Sequence, residues 1–214
     1  MLAFLGGTGP EGKGLALRLA AAEPVIIGSR DAGRAATAAE ELLQLAPGTN
    51  ISGAENAQAA AQADVVFLAF PYEGQRSTLE QLKDTLAGKV VVDVIAPMSF
   101  QRGRGASAVE VEAGSAAQEA QELLPDSLVV SAFQNISAEE LQQPDTVMDG
   151  DVIVCSDHAE AKSLVMDLVS KIHSLRPVDG GGLANSKYVE QITPMLVNIN
   201  RIYKIHAGIK IVGI

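Results

Sequence analysis

Met1-Leu2-Ala3-Phe4-Leu5-Gly6-Gly7-Thr8-Gly9-Pro10-Glu11-Gly12-Lys13-Gly14 is the stretch that decides the fold of this chain. Five residues of buried-strand character run straight into glycines and then into an Ala/Leu-rich helical segment. Gly7, Gly9 and Gly12 stand at the G-x-G-x-x-G spacing, which lets a strand turn sharply, brings backbone close to a pyrophosphate and seats the next helix on the sheet. A pyrophosphate there meets free N–H groups at the helix N-terminus, where the macrodipole also favours negative charge. Strand, loop and helix together predict a nucleotide cradle rather than a structural glycine turn, with Thr8, Pro10 and Glu11 in the loop around the ligand.

From that start, strand-like and helix-like segments alternate. Strands are expected at 1–5, 25–28, near Ile51, 65–69 and 90–95, with helices at 13–22, 31–45, 56–63 and 74–86 between them. Val65-Val66-Phe67-Leu68-Ala69 and Val90-Val91-Val92-Asp93-Val94-Ile95 are apolar without alternation, as strands covered by helices on both faces should be. After a Gly/Arg-rich loop at 100–107 the series resumes with helix 115–124, strand 128–132, a short helix near 138–142, strand 152–155, helix 158–173 and a strand around Val178. The pattern predicts an α/β protein with a doubly wound parallel sheet of Rossmann type over residues 1–180.

The remaining residues, 181–214, read differently. Gly180-Gly181-Gly182 breaks the series, and 185–207 carries Val189, Ile192, Leu196, Ile199 and Tyr203 at helical spacing, with Pro194 expected to interrupt or kink the helix. A long apolar helical stretch after a complete sheet needs a cover, and a second copy of the chain is the expected one. The alternative is that it folds back on its own sheet.

Composition sets outer bounds. A length of 214 residues with 47% hydrophobic content suits one substantial core, and a net charge of -10 argues against nucleic acid or anionic membranes, both of which reward clustered Lys and Arg. The N-terminal residues have no basic leader or cleavage site, and no apolar run approaches a membrane span of about 20 residues, so the chain is read as cytoplasmic. The single Cys155, in Val152-Ile153-Val154-Cys155, is expected to be a small buried hydrophobe.

The second strand indicates which dinucleotide. NAD folds place a carboxylate at its end for the ribose hydroxyls, whereas here Val25-Ile26-Ile27 ends in Gly28-Ser29-Arg30, with Arg34 one helical turn on. A hydroxyl and guanidinium groups bind a 2′-phosphate that a carboxylate would repel. Asp31 cuts the other way, but its place suits an N-cap better than a ribose ligand. The expected cofactor is therefore NADP(H). Its nicotinamide should lie beyond the strand ends, among Phe70-Pro71-Tyr72, Ala96-Pro97-Met98 and Phe133-Gln134-Asn135-Ile136.

These lining residues are mostly apolar. No nucleophile–base arrangement or metal-ligand spacing accompanies them, so no catalytic residue and no metal ligand is assigned. His158 and His173 flank a surface helix, and His206 lies nearer the expected interface. A dinucleotide pocket without an acid–base pair suits hydride exchange between two redox cofactors, which need only be held in contact and kept from water. Pro71, Pro97, Met98 and Ile136 fit that demand.

At these residues the chain resembles the coenzyme F-420-dependent NADP oxidoreductases, the NADPH:F-420 reductases. The likeness is carried by Leu5-Gly6-Gly7-Thr8-Gly9 with Gly12-Lys13-Gly14-Leu15-Ala16, Gly28-Ser29-Arg30, Val130-Ser131-Ala132, Leu175-Arg176-Pro177, Leu183-Ala184-Asn185-Ser186 and the tail from Asn198-Ile199-Asn200-Arg201 to Gly208-Ile209-Lys210. The resemblance implies a homodimer with a small helical C-terminal domain over 181–214, and reversible hydride transfer between NADP(H) and coenzyme F-420. It assigns the 2′-phosphate to Thr8, Ser29, Arg30 and Arg34, and the ring cleft to positions near Pro71, Pro97, Gln134 and Ile136. One departure falls on the second substrate's side: relatives commonly carry a histidine where this chain has Gln134, which donates hydrogen bonds but cannot take up a further proton or a charge. Two other readings keep the NADP(H) site: reduction of a flavin or a small carbonyl or imine substrate, and a non-catalytic redox sensor.

Overall fold

Apolar strands of four or five residues, each followed by a helix, can bury both faces only as a parallel sheet between helical layers. The computed structural model describes residues 1–214 and has that arrangement. Its strands are β1 (Leu2–Leu5), β2 (Val25–Ser29), β3 (Ile51–Glu55), β4 (Val65–Leu68), β5 (Val90–Asp93), β6 (Met98–Gln101), β7 (Gly105–Ala108), β8 (Leu128–Ser131), β9 (Gly150–Val154) and β10 (Leu175–Asp179). The helices are α1 (Pro10–Leu19), α2 (Ala32–Leu45), α3 (Asn56–Gln62), α4 (Gln75–Leu86), α5 (Ala116–Leu123), α6 (Ala138–Leu141), α7 (Ala159–Ser170) and α8 (Ser186–Tyr203).

Six strands form one parallel sheet in the order β3-β2-β1-β4-β5-β8. Alternate residues of each strand feed two cores. Leu2, Phe4, Val25, Ile27, Phe67, Val92 and Val130 pack with α1, α2 and α7 on one face. Ala3, Leu5, Ile26, Val66, Leu68, Val91 and Val129 pack with α3, α4 and α5 on the other. Phe4 stacks on Phe67 at 4.5 Å between ring centroids, and Phe133 tilts against Phe67 at 6.2 Å. Because strand order reverses between β1 and β4, the crevice outside their carboxyl ends is where a doubly wound sheet takes a ligand.

Four local expectations are corrected. Helix α1 begins at Pro10 rather than residue 13, since proline at the first helical position has no N–H to satisfy and a preset φ. The stretch read as a loop at 100–107 is mostly an antiparallel hairpin of β6 and β7, turned through Gly103 at φ +84°. Strands β9 and β10 do not continue the main sheet; they pair with each other and meet β8 through a single antiparallel bridge between Ser131 and Cys155. Finally, α8 runs unbroken through Pro194, because burial of Val189, Thr193 and Leu196 on either side offsets the lost backbone bond. Cys155 is buried as expected, and burial pushes its thiol up to about 11. No helix is long and apolar enough to cross a membrane.

Candidate dinucleotide and ring-binding site

The glycine loop has no room except where a ligand would come. A Cβ on Gly7 would stand 2.6 Å from the Phe4 carbonyl oxygen, and one on Gly12 would stand 2.6 Å from the Gly7 Cα. Gly7 N–H also donates to Phe4 and Gly28 carbonyls at 3.0 and 2.9 Å, which fixes the turn against β2. Gly9 differs: the nearest atom to a Cβ there is the Gly6 oxygen at 3.7 Å, so its open side is a cradle that a side chain would fill. Gly9 caps α1 without any side-chain hydrogen bond, leaving first-turn amides free for an anion. A diphosphate fits this set of donors.

Glu11 is the unexpected member. One carboxyl oxygen, Oε1, is enclosed without a partner, and burial pushes the group up to about 8. At neutral pH it is therefore an uncharged acid beside the amides, which removes the repulsion a carboxylate would exert on a diphosphate.

At the end of β2, Ser29 is buried and its Oγ accepts from Asp31 N–H at 3.3 Å. Asp31 Oδ1 accepts from Arg34 N–H at 2.9 Å and so is the N-cap of α2, as its sequence position predicts. With Asp31 used in that way, Arg30 and Arg34 project from the corner exposed and engaged in no ion pair. The residues present fit a phosphorylated ribose there.

Beyond the loop opens a cavity of about 830 Å³. Of the residues expected in the site, Gly9, Pro10, Glu11, Phe70, Pro71, Gln134 and Ile136 line it. Pro97 lies buried between two lining residues, Ala96 and Met98, while Gly7, Thr8, Gly12, Ser29, Arg30 and Arg34 are not among the lining residues. The opposite wall is made by Thr193, Leu196, Val197, Asn200 and Lys204 of α8 and its end, with His206 beyond; the sequence points to the C-terminal segment as part of the second-cofactor cleft but does not single out Thr193 or Val197. His206 Nδ1 sits 3.2 Å from Ser137 Oγ.

Buried polar bonds fasten that wall to the sheet. Gln134 is 5% exposed; its amide N–H groups donate to the Asp93 carbonyl at 2.8 Å and to Ser131 Oγ at 2.9 Å. Asn135 Nδ2 donates to the Val189 carbonyl and to Thr193 Oγ1, both at 2.9 Å, and Thr193 Oγ1 donates to the Gln134 carbonyl at 3.0 Å. Phe133, at φ +74°, makes the left-handed turn that presents these side chains. Deeper in, Glu190 of α8 accepts from Ala116 and Ala117 N–H at 2.8 and 3.2 Å, and Ser186 Oγ lies 2.7 Å from Ser115 Oγ. Burial pushes Glu190 up to about 7 and raises Asp93 well above the usual carboxylate range, with Glu190 adding to the latter effect.

A glycine cradle at the switch point of a parallel sheet, opening into a largely apolar compartment closed by a C-terminal helix, defines a Rossmann-type dinucleotide-dependent oxidoreductase architecture. Residues 1–97 match the family described as "NADP oxidoreductase coenzyme F420-dependent". The chain is 42% identical to the "F420-dependent NADP reductase" of Methanothermobacter marburgensis, over 100% of this chain and 98% of that one. It is 43% identical to the protein of the same name from Methanocaldococcus jannaschii, over 95% and 93% of the two chains. A crystal structure of a candidate F420-dependent NADP-reductase from Arthrobacter sp. FB24 superposes with a TM-score of 0.84 at 25% identity, covering 99% of both chains. The chain belongs to the F420-dependent NADP reductase family.

Proposed function

We propose that this protein is an NADPH:F-420 oxidoreductase that passes hydride directly and reversibly between NADP(H) and coenzyme F-420. The observation that carries the reading is one continuous cavity, about 830 Å³, running from the open side of Gly9 to the wall of α8. That is near the upper end of the usual ligand-pocket range of roughly 300–1,000 Å³. Gly7, Gly9, Pro10, Glu11 and Gly12 hold the diphosphate, and Thr8, Ser29, Arg30 and Arg34 hold the 2′-phosphate. Phe70, Pro71, Pro97, Gln134 and Ile136 confine the rings. When both are bound, the nicotinamide supplies the hydride and the deazaflavin accepts it. The chain contributes alignment and exclusion of water, and no protein acid or base is obligatory.

The same reading divides the chain into an NADP-binding domain, 1–180, and a small domain, 181–214, that completes the second-cofactor cleft and joins two copies as a homodimer in the cytoplasm. Tyr188, Met195 and Ile202 support the dimer: they recur at seven-residue spacing on α8 and are 69, 51 and 66% exposed. Mixing purified protein with NADPH and F-420 under anaerobic conditions should bleach the deazaflavin absorbance. Tight NADPH binding with no bleaching of F-420 would overturn the proposal.

A further inference from the structure

We propose that Arg18 is a positioning residue for hydride transfer: standing on the helix that seats the diphosphate, it grips the backbone of α6 and so sets the Ile136–Glu139 wall relative to Pro10 and Glu11. The inference rests on the proposed reaction and goes further, to a residue outside the cavity that fixes one of its walls.

Arg18 lines no part of the cavity. In a chain of net charge -10 it is also in no ion pair. Its guanidinium is given over to backbone carbonyl oxygens instead. Nε donates to Leu141 at 2.9 Å and Nη1 to Pro144 at 3.2 Å, while Nη2 is shared among Glu140, Gln143 and Thr146 at 2.7, 2.6 and 3.0 Å. These bonds join residues 122 to 128 positions apart, and every nitrogen of the fork is engaged.

What the grip holds is a segment that cannot hold itself. The last four carbonyls of any α-helix lack an intrahelical donor, and in α6, Ala138–Leu141, that is the whole element. A single turn is also far too short to form alone. Its other tie is again to α1: Leu141 is fully buried, and a Cβ on Gly14 would run into the Leu141 Cβ, so α1 needs glycine where the two helices meet. Pro10, Gly14 and Arg18 recur at i, i+4 and i+8 and so share one face of α1. From the first turn of that helix Pro10 and Glu11 line the cavity; from α6 and the residues just before it, Ile136, Ser137, Ala138 and Glu139 do. One rigid helix therefore carries the diphosphate at its N-terminus and, two turns on, the fastening of a wall that confines the rings. Arg18 acts on the reaction through that wall, by backbone bonds alone.

The test is a single turnover of the whole protein. Enzyme loaded with NADPH is mixed with saturating F-420 in a stopped-flow, where the rate constant of bleaching reports ring geometry and the amplitude, relative to wild type, reports the fraction of folded sites. Arg18→Lys keeps the charge but replaces a planar five-donor fork with three donors on one nitrogen; Arg18→Gln removes the charge as well. Both variants should bind NADPH as wild type does in a fluorescence titration and keep the amplitude. Both should lose roughly ten- to a hundredfold in the rate constant, as a wall misplaced by about 1 Å would cost. A wild-type rate constant in either variant, a loss confined to the amplitude, or a matching loss of NADPH binding would overturn the inference while leaving the proposed reaction intact. If wild type itself does not bleach F-420, the proposed reaction fails and this inference with it.

Discussion

The two ends of the cavity are built by opposite means. The nucleotide end comes from one contiguous run, Gly6 to Gly14, plus the next strand end at Ser29; its bonds are mainly backbone bonds and short-range caps, with one long-range side-chain bond from Gly6 N–H to Asn56 Oδ1 at 3.2 Å. The ring end is assembled from β5, the Phe133–Ile136 turn, α5 and α8, whose residues lie 41 to 74 positions apart where they bond through buried side chains. A local motif can therefore set the nucleotide end before the domain is complete. The ring end forms only when the C-terminal helix docks, and it stores titratable carboxyls in the process.

The largest expected effect breaks the ring end alone. Glu190→Ala strands two buried N–H groups at the start of α5 and should cost about 2–3 kcal/mol in urea unfolding. It should also raise the KM for F-420 while moving NADPH affinity little. An equal loss of NADPH affinity would show that the two ends are not separable.

The converse variant acts on the nucleotide end. Arg30→Ala should weaken NADPH binding by about 1.5–3 kcal/mol, the worth of a hydrogen bond to a charged group, and spare NADH. Fluorescence titration with both nucleotides checks this; equal weakening would refute the 2′-phosphate assignment.

A smaller effect concerns pH, and its sign follows from the raised carboxyls. Glu11, up to about 8, and Glu190, up to about 7, both start from 4.5 in the unfolded chain. Between those values the folded form binds more protons, so the stability they contribute is complete below about pH 4.5 and is lost as pH rises through 7 and 8. The carboxyls shifted the other way, Glu23, Asp151 and Asp179, act only at lower pH. The ligand-free protein should be less stable at pH 8.5 than at pH 5.5, and Glu11→Gln/Glu190→Gln should reduce the difference, Asp93 keeping its own share. NADP(H) affinity should also fall as Glu11 ionises, an effect that Glu11→Gln removes. A wild-type urea midpoint that is flat or rising over this range contradicts the titration account.

These contrasts explain what the sequence alone made legible. The parallel sheet, the glycine cradle and Asp31 as the cap of α2 follow from local pattern, because each is decided within a few residues. The hairpin was hidden in its Gly/Arg run, since Gly103 and Gly105 become turn residues only once β6 and β7 pair and Asn198 covers their edge. Likewise, Thr193, Asn200 and Lys204 look like ordinary polar positions of an amphipathic helix until docking turns them toward the cavity. Asp93 lies in a strand that its apolar neighbours mark as buried, whereas nothing around Glu190 marks its burial; the raised titrations of both are a property of the assembled layers.

In the proposed reaction one cavity brings two rings together closely enough for hydride to pass without visiting solvent. NADPH deuterated at the transferring position of nicotinamide C4, mixed with the protein and oxidised F-420 in ordinary water, tests it most directly. Direct transfer should leave the label fully retained at the reduced deazaflavin carbon; deuterium in solvent, with unlabelled product, would rule direct transfer out.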